Sequence, residues 1–468
     1  MTLVGELTAL LGDSRVRHHP LDLLMFAKDA GVTSGSVLAA VLPETTDEVA
    51  ACVRIAREFD VPIVPRGAGT GLAGGAVPIE PGLLIVLTRI NDIYEVDEIG
   101  RTAWVGPGLI NLDLSNALSS AGLHFAPDPS SQQVSTIGGN VGTNAGGPHC
   151  LADGTTVAHV LGMEFVTPQG EIAVLGGEVP DTPGLDLRAI VVGSEGTLGI
   201  VTKVLVRLMQ NPPDVATILV GFPSIRDAAG TVSQIIAAGS IPAALEIMDK
   251  GMVEAVERFV GAGYPLDAEA VLLAEVTGTA QSVADAAALV SRIANQNHAT
   301  SVRVAVEDDE RARLWKGRKA AFGAVAQKAP DYYLHDTVVP RTRLVEVMTQ
   351  IYEIGERHGV EMLNVFHAGD GNLHPLVAFD SKEPGMLEKV RAAADEMVRV
   401  SIDAGGSLSG EHGIGVEKRD LMPLVFGESD LDAQARIRDA FDDRGLMNPG
   451  KVLPTGSRCF DGSGVRLP

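Results

Sequence analysis

A short apolar strand enters a glycine-rich loop in the stretch Val61-Pro-Ile-Val-Pro-Arg-Gly-Ala-Gly-Thr-Gly-Leu-Ala-Gly-Gly75. Upstream, Thr45-Thr-Asp-Glu48 has the spacing of a helix capping box, and apolar residues follow it at a helical period. This pattern predicts a helix over 46–59. The segment is thus expected to run helix, strand and loop, with small residues where the backbone must approach a ligand closely.

The loop contains a formal G-x-G-x-x-G at Gly69, Gly71 and Gly74. A Rossmann nicotinamide site requires a helix to begin at such a loop. Gly75 and Pro78 would break that helix. A different dinucleotide cradle is therefore favoured, with a nicotinamide site or a purely structural turn as the alternatives.

Two more glycine-rich loops follow, over 127–147 and 193–200. Backbone N–H groups in such loops can approach a phosphate. The stretches between the loops are rich in strand-forming residues: Leu84–Leu87, Ala103–Val105 and Met163–Thr167. The three loops together predict an α+β domain folded around one extended dinucleotide.

The composition excludes several classes of partner. The chain has 468 residues and a formal net charge of −23, which disfavours nucleic acid and anionic membranes as main partners. Residues 1–13 show neither a signal peptide nor a membrane-spanning pattern. The three cysteines, Cys52, Cys150 and Cys459, form no disulfide framework and are interpreted as unpaired thiols. We expect a cytoplasmic protein.

The second half predicts another α+β domain, an antiparallel sheet with helices on one face, that caps the ligand of the first. Strand patterns alternate with alanine-rich helical ones: strands at Ala216–Phe222, Ala243–Met248 and Val271–Val276, helices at Asp227–Ala238 and Val283–Asn295. The expected division is 1–211, 212–404 and a C-terminal helical segment, 405–468, that returns to the first domain.

A helix predicted over Arg311–Gln327 carries Trp315, Arg318 and Phe322 on roughly one face. The arginine is a candidate anion site. The alternative is that its side chain extends to solvent from a packed helix.

Histidines and an acid lie in two unusual segments near the C-terminus. In Asn364-Val-Phe-His-Ala-Gly-Asp-Gly-Asn-Leu-His374 the Asp-Gly pair predicts a hairpin turn that brings His367 and His374 together. Downstream, glycines surround Glu411 and His412. Two histidines and a carboxylate are a familiar divalent-metal set. Scattered structural histidines are the alternative.

The residues and the order of these motifs resemble those of known flavoproteins. Residues 42–208 resemble the FAD domain of the vanillyl-alcohol oxidase and p-cresol methylhydroxylase superfamily. The segments HAGDGNLHPL, SGEHGIG and Asn448-Pro-Gly-Lys-Val-Leu-Pro454 are similar to those of flavin-linked 2-hydroxy-acid dehydrogenases. Within that group the likeness is closest to the FAD-binding catalytic subunits of bacterial glycolate oxidase, then to D-lactate and D-2-hydroxyglutarate dehydrogenases.

The resemblance implies a two-subdomain FAD-binding domain with non-covalent FAD, since Thr70 occupies the position of the histidine that links the flavin in covalent members. The first loop would hold the pyrophosphate, the second the isoalloxazine and ribityl chain, and the third the adenosine half or the ring. The implied FAD contacts are Pro65, Arg66, Gly67, Ala68, Gly69, Thr70, Gly71, Leu72, Pro127, Asp128, Ser131, Gly138, Gly139, Asn140, Thr143, Asn144, Gly146, Gly147, Glu195, Gly196, Gly199, Ile200 and Asn448.

The resemblance also implies the catalytic set. His367, His374 and Glu411 would bind a divalent metal, with zinc favoured and manganese or iron compatible. His412 would accept the hydroxyl proton, Arg318 would bind the substrate carboxylate, and the α-hydrogen would pass as hydride to flavin N5. The predicted reaction is oxidation of glycolate or D-lactate to the 2-oxo acid.

Members acting on longer dicarboxylates carry a lysine in the strand that here reads Tyr332-Tyr-Leu-His-Asp-Thr-Val-Val-Pro340. Its absence favours a small substrate over D-2-hydroxyglutarate. Tyr332 or Tyr333 is either a site residue or a core aromatic. Two other readings stay open, a flavin oxidase using dioxygen on alcohols or sugars and a flavoprotein subunit without catalysis.

The sequence leaves open whether the electron acceptor is a quinone, a cytochrome or an iron–sulfur partner subunit. Three cysteines are too few for an internal cluster, and the iron–sulfur partner is implied only by the resemblance to glycolate oxidase subunits. A second flavin-type subunit and a homodimer are compatible with the resemblance. The chain would then be cytoplasmic or peripheral to the inner membrane through its partners.

Overall fold

A computed structural model describes residues 2–179 and 183–454, and Cys459 lies outside them. The chain forms two compact units. Within the described residues, unit 1 comprises 2–146, 155–179, 183–211 and 411–454, and unit 2 comprises 147–154 and 212–410. The predicted division into 1–211, 212–404 and 405–468 stays a prediction.

Strands and helices alternate along the chain. The strands are β1 (Val16–Arg17), β2 (Val37–Val41), β3 (Ile63–Arg66), β4 (Gly82–Val86), β5 (Ile93–Asp97), β6 (Thr102–Val105), β7 (Leu123–His124), β8 (Val160–Val166), β9 (Ile172–Gly176), β10 (Ile200–Arg207), β11 (Met209–Gln210), β12 (Asp214–Phe222), β13 (Ala244–Asp249), β14 (Ala270–Gly278), β15 (Ser301–Ala305), β16 (Asp331–Leu334), β17 (Thr337–Val338), β18 (Glu361–His367), β19 (Asn372–Leu373) and β20 (Pro375–Phe379). The helices are α1 (Leu3–Leu11), α2 (Pro20–Leu23), α3 (Thr46–Glu58), α4 (Asn111–Leu118), α5 (Ile137–Thr143), α6 (Cys150–Asp153), α7 (Leu187–Val191), α8 (Ile225–Ala237), α9 (Lys250–Val260), α10 (Ala280–Gln296), α11 (Asp308–Lys319), α12 (Ala321–Val325), α13 (Leu344–His358), α14 (Met386–Asp403) and α15 (Glu428–Phe441). None of the helices among the described residues is both long and apolar enough to cross a bilayer.

Helix α3 confirms the capping signal at the start of unit 1. The Thr45 hydroxyl accepts a hydrogen bond from the Glu48 backbone N–H (3.2 Å). The Glu48 carboxylate accepts the Glu44 N–H (2.7 Å) and pairs with Arg15 (2.7 Å). The apolar face of α3 is buried. Directly after the helix, the chain enters β3 and the first glycine-rich loop, and no helix opens there.

Unit 1 contains two main sheets. One has the order β1-β2-β4-β3, in which β2, β4 and β3 run parallel. The other is antiparallel in the order β5-β6-β10-β8-β9. Each sheet has its own hydrophobic core. The first and third glycine-rich loops follow β3 and precede β10, so strand ends of both sheets position them.

The second glycine-rich loop is not wholly irregular, because helix α5 lies inside it. Thr136 caps this helix by accepting the Gly139 N–H (3.2 Å). The apolar residues Ile137 and Val141 of the helix are buried. Burial of this apolar face overrides the poor helix propensity of the glycines.

Unit 2 is built on a long antiparallel sheet in the order β15-β12-β14-β13-β18-β19-β17, with β20 beside β18 and β16 beside β20. Alternate residues of its central strands enter two different cores. One core includes α8, α10, α13 and α14, and the other includes α9, α11 and α12. The expectation of helices on one face was therefore wrong, since both faces are apolar and each must be covered.

The helix predicted over Arg311–Gln327 is divided. Helix α11 ends at Lys319 and α12 begins at Ala321. Trp315 and Phe322 nevertheless pack against the same core. The two aromatic residues therefore lie on the same side of the sheet, as predicted, although the helix is interrupted between them.

Candidate functional site

The three glycine-rich loops of unit 1 contact one another. A Cβ atom on Gly67 would overlap the Thr136 hydroxyl of the second loop, and one on Gly75 would lie 2.7 Å from the Glu195 carboxylate of the third. The Glu195 N–H donates to the carbonyl of Gly142 (2.8 Å), which joins the third loop to the second. Loops far apart in sequence therefore form one continuous backbone surface.

Two buried polar groups in the second loop have no hydrogen-bond partner within the described residues. They are the Asn140 amide nitrogen on α5 and the Ser135 hydroxyl just before it. A buried donor without a partner costs about 1–3 kcal/mol. This glycine-lined surface with unsatisfied donors fits a polar cofactor such as FAD.

The first loop is held by a buried pair. Arg66 donates to the carbonyl of Lys28 (2.8 Å) and lies beside the Asp29 carboxylate. Asp29 accepts the N–H groups of Gly31 (2.8 Å) and Gly74 (3.0 Å). Burial raises the pKa of Asp29, and the hydrogen bonds and Arg66 oppose that shift. Gly69 adopts φ +75°, a left-handed conformation that favours glycine, against the Arg66 guanidinium.

The third loop is tied to the C-terminal part of unit 1 through Glu195. Its carboxylate accepts the N–H groups of Ile414 (2.7 Å) and Gly415 (2.9 Å). The Asn448 amide donates to the carbonyls of Gly75 (2.8 Å) and Glu195 (2.6 Å). Asn448 thus braces the first and third loops.

Lys451 completes this brace. Its buried ammonium donates to the carbonyl of Val77 (2.6 Å) and to the Asn448 side-chain oxygen (3.1 Å). Burial lowers the pKa of Lys451 to about 8, and nearby Glu195 opposes that shift. The motif Asn448–Pro454 contains this lysine, but no role was predicted for it. A lysine within a run of small and apolar residues was the signal that could have indicated a buried role.

The predicted FAD residues occupy a limited set of elements, and their contact with the cofactor stays a prediction. In the first loop, β3 ends with Pro65 and Arg66, and the turn after it comprises Gly67, Ala68, Gly69, Thr70, Gly71 and Leu72. In the second loop, the residues before α5 are Pro127, Asp128 and Ser131, those within it are Gly138, Gly139, Asn140 and Thr143, and those after it are Asn144 and Gly146. The third loop contains Glu195, Gly196 and Gly199, β10 starts at Ile200, and Asn448 follows α15. Gly147 belongs to unit 2.

In unit 2, Arg318 on α11 is fully buried, so the alternative that its side chain extends to solvent was wrong. Its Nε donates to the equally buried Glu246 carboxylate (2.6 Å). Its Nη1 has no hydrogen-bond partner within the described part of the chain. A buried cation with an unsatisfied N–H is well suited to an anionic ligand.

The hairpin prediction is confirmed. The Asp370–Gly371 turn joins β18 to β19, with the Gly371 N–H donating to the His367 carbonyl (3.1 Å). The rings of His367 and His374 lie 5.0 Å apart, centroid to centroid, at an interplanar angle of 87°. The turn therefore places two imidazoles side by side in the buried part of unit 2.

Both histidines are oriented through Nδ1. His367 Nδ1 lies 2.7 Å from the Glu246 carboxylate, and His374 Nδ1 lies 3.4 Å from the His335 carbonyl. A carboxylate or carbonyl oxygen only accepts hydrogen bonds, so each Nδ1 carries a proton, and in the neutral ring Nε2 carries the lone pair. This tautomer is the one that can bind a metal through Nε2.

The segment that carries Glu411 and His412 is anchored on both sides. Before it, the buried Asp336 carboxylate accepts the Ser409 hydroxyl (2.5 Å) and the Gly410 N–H (3.1 Å), all within unit 2. After it, the Glu195 carboxylate holds Ile414 and Gly415, all within unit 1. Residues 411–413 lie between the two anchored segments of the chain. Asp336 was not assigned a role from the sequence.

Trp315 packs against one core of unit 2 and also borders a cleft. Trp315 donates from Nε1 to the Glu275 carboxylate (2.5 Å), and its ring lies 5.8 Å from that of His149. Together with Lys319 and other residues, these three line a cleft of about 390 Å³.

Tyr332 and Tyr333 lie on β16, where they pack against opposite cores of the sheet. Burial raises the pKa of the Tyr332 hydroxyl. Of the two alternatives left open by the sequence, the packing favours core aromatics.

Comparisons with known proteins agree with this architecture. The family model described as FAD linked oxidases, C-terminal domain, matches residues 211–452, and an FAD binding domain model matches residues 37–176. The glycolate oxidase subunit GlcD of Escherichia coli (strain K12) is 44% identical over 424 residues, covering 91% of this chain and 85% of that protein. A D-lactate dehydrogenase of Anaerostipes hadrus is 33% identical over 438 residues, covering 91% and 92%.

Among solved structures, p-cresol methylhydroxylase with substrate bound matches with a TM-score of 0.82 at 17% identity, covering 97% of this chain and 96% of that one. At that identity the match shows the fold alone, and it confirms the predicted α+β class. The FAD binding model confirms FAD as the cofactor and the chain as an oxidoreductase. The predicted resemblance is therefore confirmed: the chain belongs to the family of FAD-linked oxidases.

Proposed function

We propose that the protein oxidises a small 2-hydroxy acid, glycolate or D-lactate, to the 2-oxo acid with FAD as the hydride acceptor. The similarity to proteins named glycolate oxidase subunit and D-lactate dehydrogenase supports this substrate class. The observation that carries the proposal is the buried Arg318, with an unsatisfied Nη1, next to the paired imidazoles of His367 and His374.

Arg318 binds the substrate carboxylate. Glu246 compensates its charge, which offsets the cost of placing a guanidinium in a fully buried position. The remaining N–H groups form a planar donor fork that matches a carboxylate. This cation also offsets the repulsion that an anionic substrate meets from a chain of net charge −23.

His367, His374 and Glu411 hold a divalent metal. The donor set fits, because both imidazoles are in the Nδ1–H tautomer and Glu411 directly follows the anchored Gly410. Two imidazoles and one carboxylate suit zinc, manganese or ferrous iron. When bound, such an ion lowers the pKa of the substrate hydroxyl.

His412 accepts the hydroxyl proton. Imidazole is suited to this transfer because its ordinary pKa lies near neutrality. His412 lies two residues after Gly410, which Asp336 binds, and two residues before Ile414, which Glu195 binds. Bound FAD supplies the acceptor for the α-hydrogen, and the braced loops of unit 1 keep the cofactor in place.

A small substrate is favoured over D-2-hydroxyglutarate. The segment Tyr332–Pro340 contains no lysine, so a second carboxylate would lack a cationic partner there. Tyr332 and Tyr333 pack into cores and offer no such charge.

Electrons leave through a quinone or an iron–sulfur partner subunit. Support comes from the name of the Escherichia coli relative, which describes that protein as a subunit. We extend the proposal to a multi-subunit cytoplasmic enzyme that associates with a membrane through its partners, with a second flavin-type subunit or a homodimer as the assembly.

The test is anaerobic bleaching of the flavin absorbance by glycolate, D-lactate, L-lactate and D-2-hydroxyglutarate, each with and without a metal chelator. Rapid bleaching by glycolate or D-lactate, abolished by the chelator, is the expected result. Yellow protein that none of the four acids bleaches would refute the substrate class. Bleaching that the chelator leaves unchanged would refute the metal and keep the oxidation.

A further inference from the structure

A single carboxylate in unit 2 contacts two of the proposed site residues. Glu246 lies on β13 directly opposite His367 on β18, with which it forms a register pair. It lies among apolar neighbours in the strand Ala244-Leu-Glu-Ile-Met-Asp249 and is completely buried. A charged side chain in such a strand is expensive unless it is paired, so its partners explain its presence.

The two carboxylate oxygens of Glu246 have different partners. Oε2 accepts Nε of Arg318 (2.6 Å), and Oε1 accepts Nδ1–H of His367 (2.7 Å). Arg318 Nη2 lies 3.5 Å from His367 Nδ1. Both of these nitrogens carry protons, so they do not bond to each other. The carboxylate instead binds Arg318 through Nε and His367 through Nδ1–H.

This geometry determines what each partner can offer a ligand. With Nε held, the guanidinium plane is fixed and its Nη1 is left without a partner among the described residues. With Nδ1–H held, the lone pair of His367 is on Nε2. One carboxylate therefore controls the direction of the anion-binding group and the tautomer of a metal-binding group.

We propose that Glu246 is a positioning residue, which aims Arg318 at the substrate carboxylate and His367 at the metal. The proposal rests on the function proposed above and deepens it. An ion pair that only stabilised the fold would not leave one guanidinium nitrogen unsatisfied in the interior, since that costs stability.

The main variant is Glu246→Gln, which keeps the shape but removes the charge. An amide has one oxygen, so either Arg318 or His367 meets an NH₂ group, donor against donor. The matched control is Asp249→Asn on the same strand. Asp249 is also a buried hydrogen-bonded carboxylate, but its partners are Tyr352 (2.9 Å), the Met252 N–H (2.9 Å) and the backbone and side-chain N–H groups of Asn364 (2.8 and 3.1 Å).

Two readouts are made on the oxidised holoprotein, and neither is activity. Oxamate, an unreactive carboxylate, is titrated and followed by the change in flavin absorbance, and Zn²⁺ binding is measured on metal-free protein. Glu246→Gln should weaken both by roughly tenfold or more, the usual cost of losing a group that orients a ligand. Asp249→Asn should leave both within about twofold while lowering the melting temperature.

Wild-type affinity of Glu246→Gln for either oxamate or Zn²⁺ would overturn the proposal, and so would equal losses in Asp249→Asn. If Glu246→Gln does not fold with FAD, Glu246→Asp replaces it. That variant keeps the charge but is shorter by one methylene, and the same tenfold criterion applies to it.

The outcome separates this role from the proposed reaction. If no 2-hydroxy acid bleaches the wild-type flavin, the reaction is refuted. Oxamate and Zn²⁺ affinities that still depend on Glu246 would then leave its positioning role standing.

Discussion

Replacing Arg318 by lysine tests the carboxylate anchor with little change in charge. The side chain of Arg318 is fully buried, and its Nε lies 2.6 Å from Glu246. A lysine keeps one positive charge, so Glu246 stays compensated and the fold should survive. However, a single ammonium group cannot hold Glu246 and also present a planar fork to a substrate.

The magnitude follows from the hydrogen bonds that are lost. Each hydrogen bond to a charged group contributes about 1.5–3 kcal/mol. Losing one of them should weaken substrate binding by about 1.5–3 kcal/mol, which is roughly 10- to 150-fold. The limiting rate should fall much less, because Arg318 does not accept the proton in the proposed mechanism.

The assay is anaerobic stopped-flow reduction of the flavin over a range of glycolate or D-lactate concentrations. The concentration dependence gives the dissociation constant, and the plateau gives the limiting rate. Arg343→Lys is the control, because Arg343 is exposed and pairs with Glu346 at the surface. If Arg318→Lys binds substrate as tightly as Arg343→Lys, the anchor role of Arg318 is wrong.

Three further changes test other parts of the molecule. His412→Gln should lower the limiting rate of flavin reduction by about 10²- to 10⁴-fold, the range for losing a general base; an unchanged rate in stopped flow would exclude His412 as the base. Burial lowers the pKa of Lys451 to about 8, so from about pH 8 to its ordinary value of 10.5 the unfolded chain binds a proton that the folded chain lacks. Folding stability relative to Lys451→Met should therefore rise by up to about 3 kcal/mol across that window; melting temperatures of both proteins at several pH values check the sign, and a falling difference contradicts it. Gly67→Val should reduce the flavin-to-protein ratio after purification, because its Cβ would overlap the Thr136 hydroxyl. Gly177→Ala, outside the three loops and with nothing within 4 Å of its Cβ, should keep the flavin.

Local sequence signals predicted the elements that local physics decides. The capping residue Thr45 starts α3, and the Asp370–Gly371 pair turns the hairpin, as expected. The glycine-rich loops were found because their backbone conformations and close contacts exclude side chains. These features depend on residues that are close in sequence, so a local pattern is enough to predict them.

Residues that act across the fold escaped prediction. Glu246, Asp336 and Lys451 are each buried and bind groups that are distant in sequence. No spacing rule identifies such partners, because tertiary packing brings them together. The one available signal was a charged side chain within an apolar or glycine-rich run. The coverage of both sheet faces was missed for the same reason, since alternation along one strand does not reveal what packs on each side.

The hydrogen bond from Lys451 to Val77, just after the first glycine-rich loop, links parts of unit 1 that are synthesised far apart in time. Lys451 and Val77, which it holds, are 374 residues apart. At about 5–20 residues per second, a ribosome needs on the order of 20–75 seconds to make the chain between them. During that time the whole of 212–410 emerges and can fold as a unit. The loops of unit 1 still lack the hydrogen bonds of Asn448 and Lys451 during this period. The nascent chain should therefore acquire its cofactor late, after the last part of unit 1 has left the ribosome.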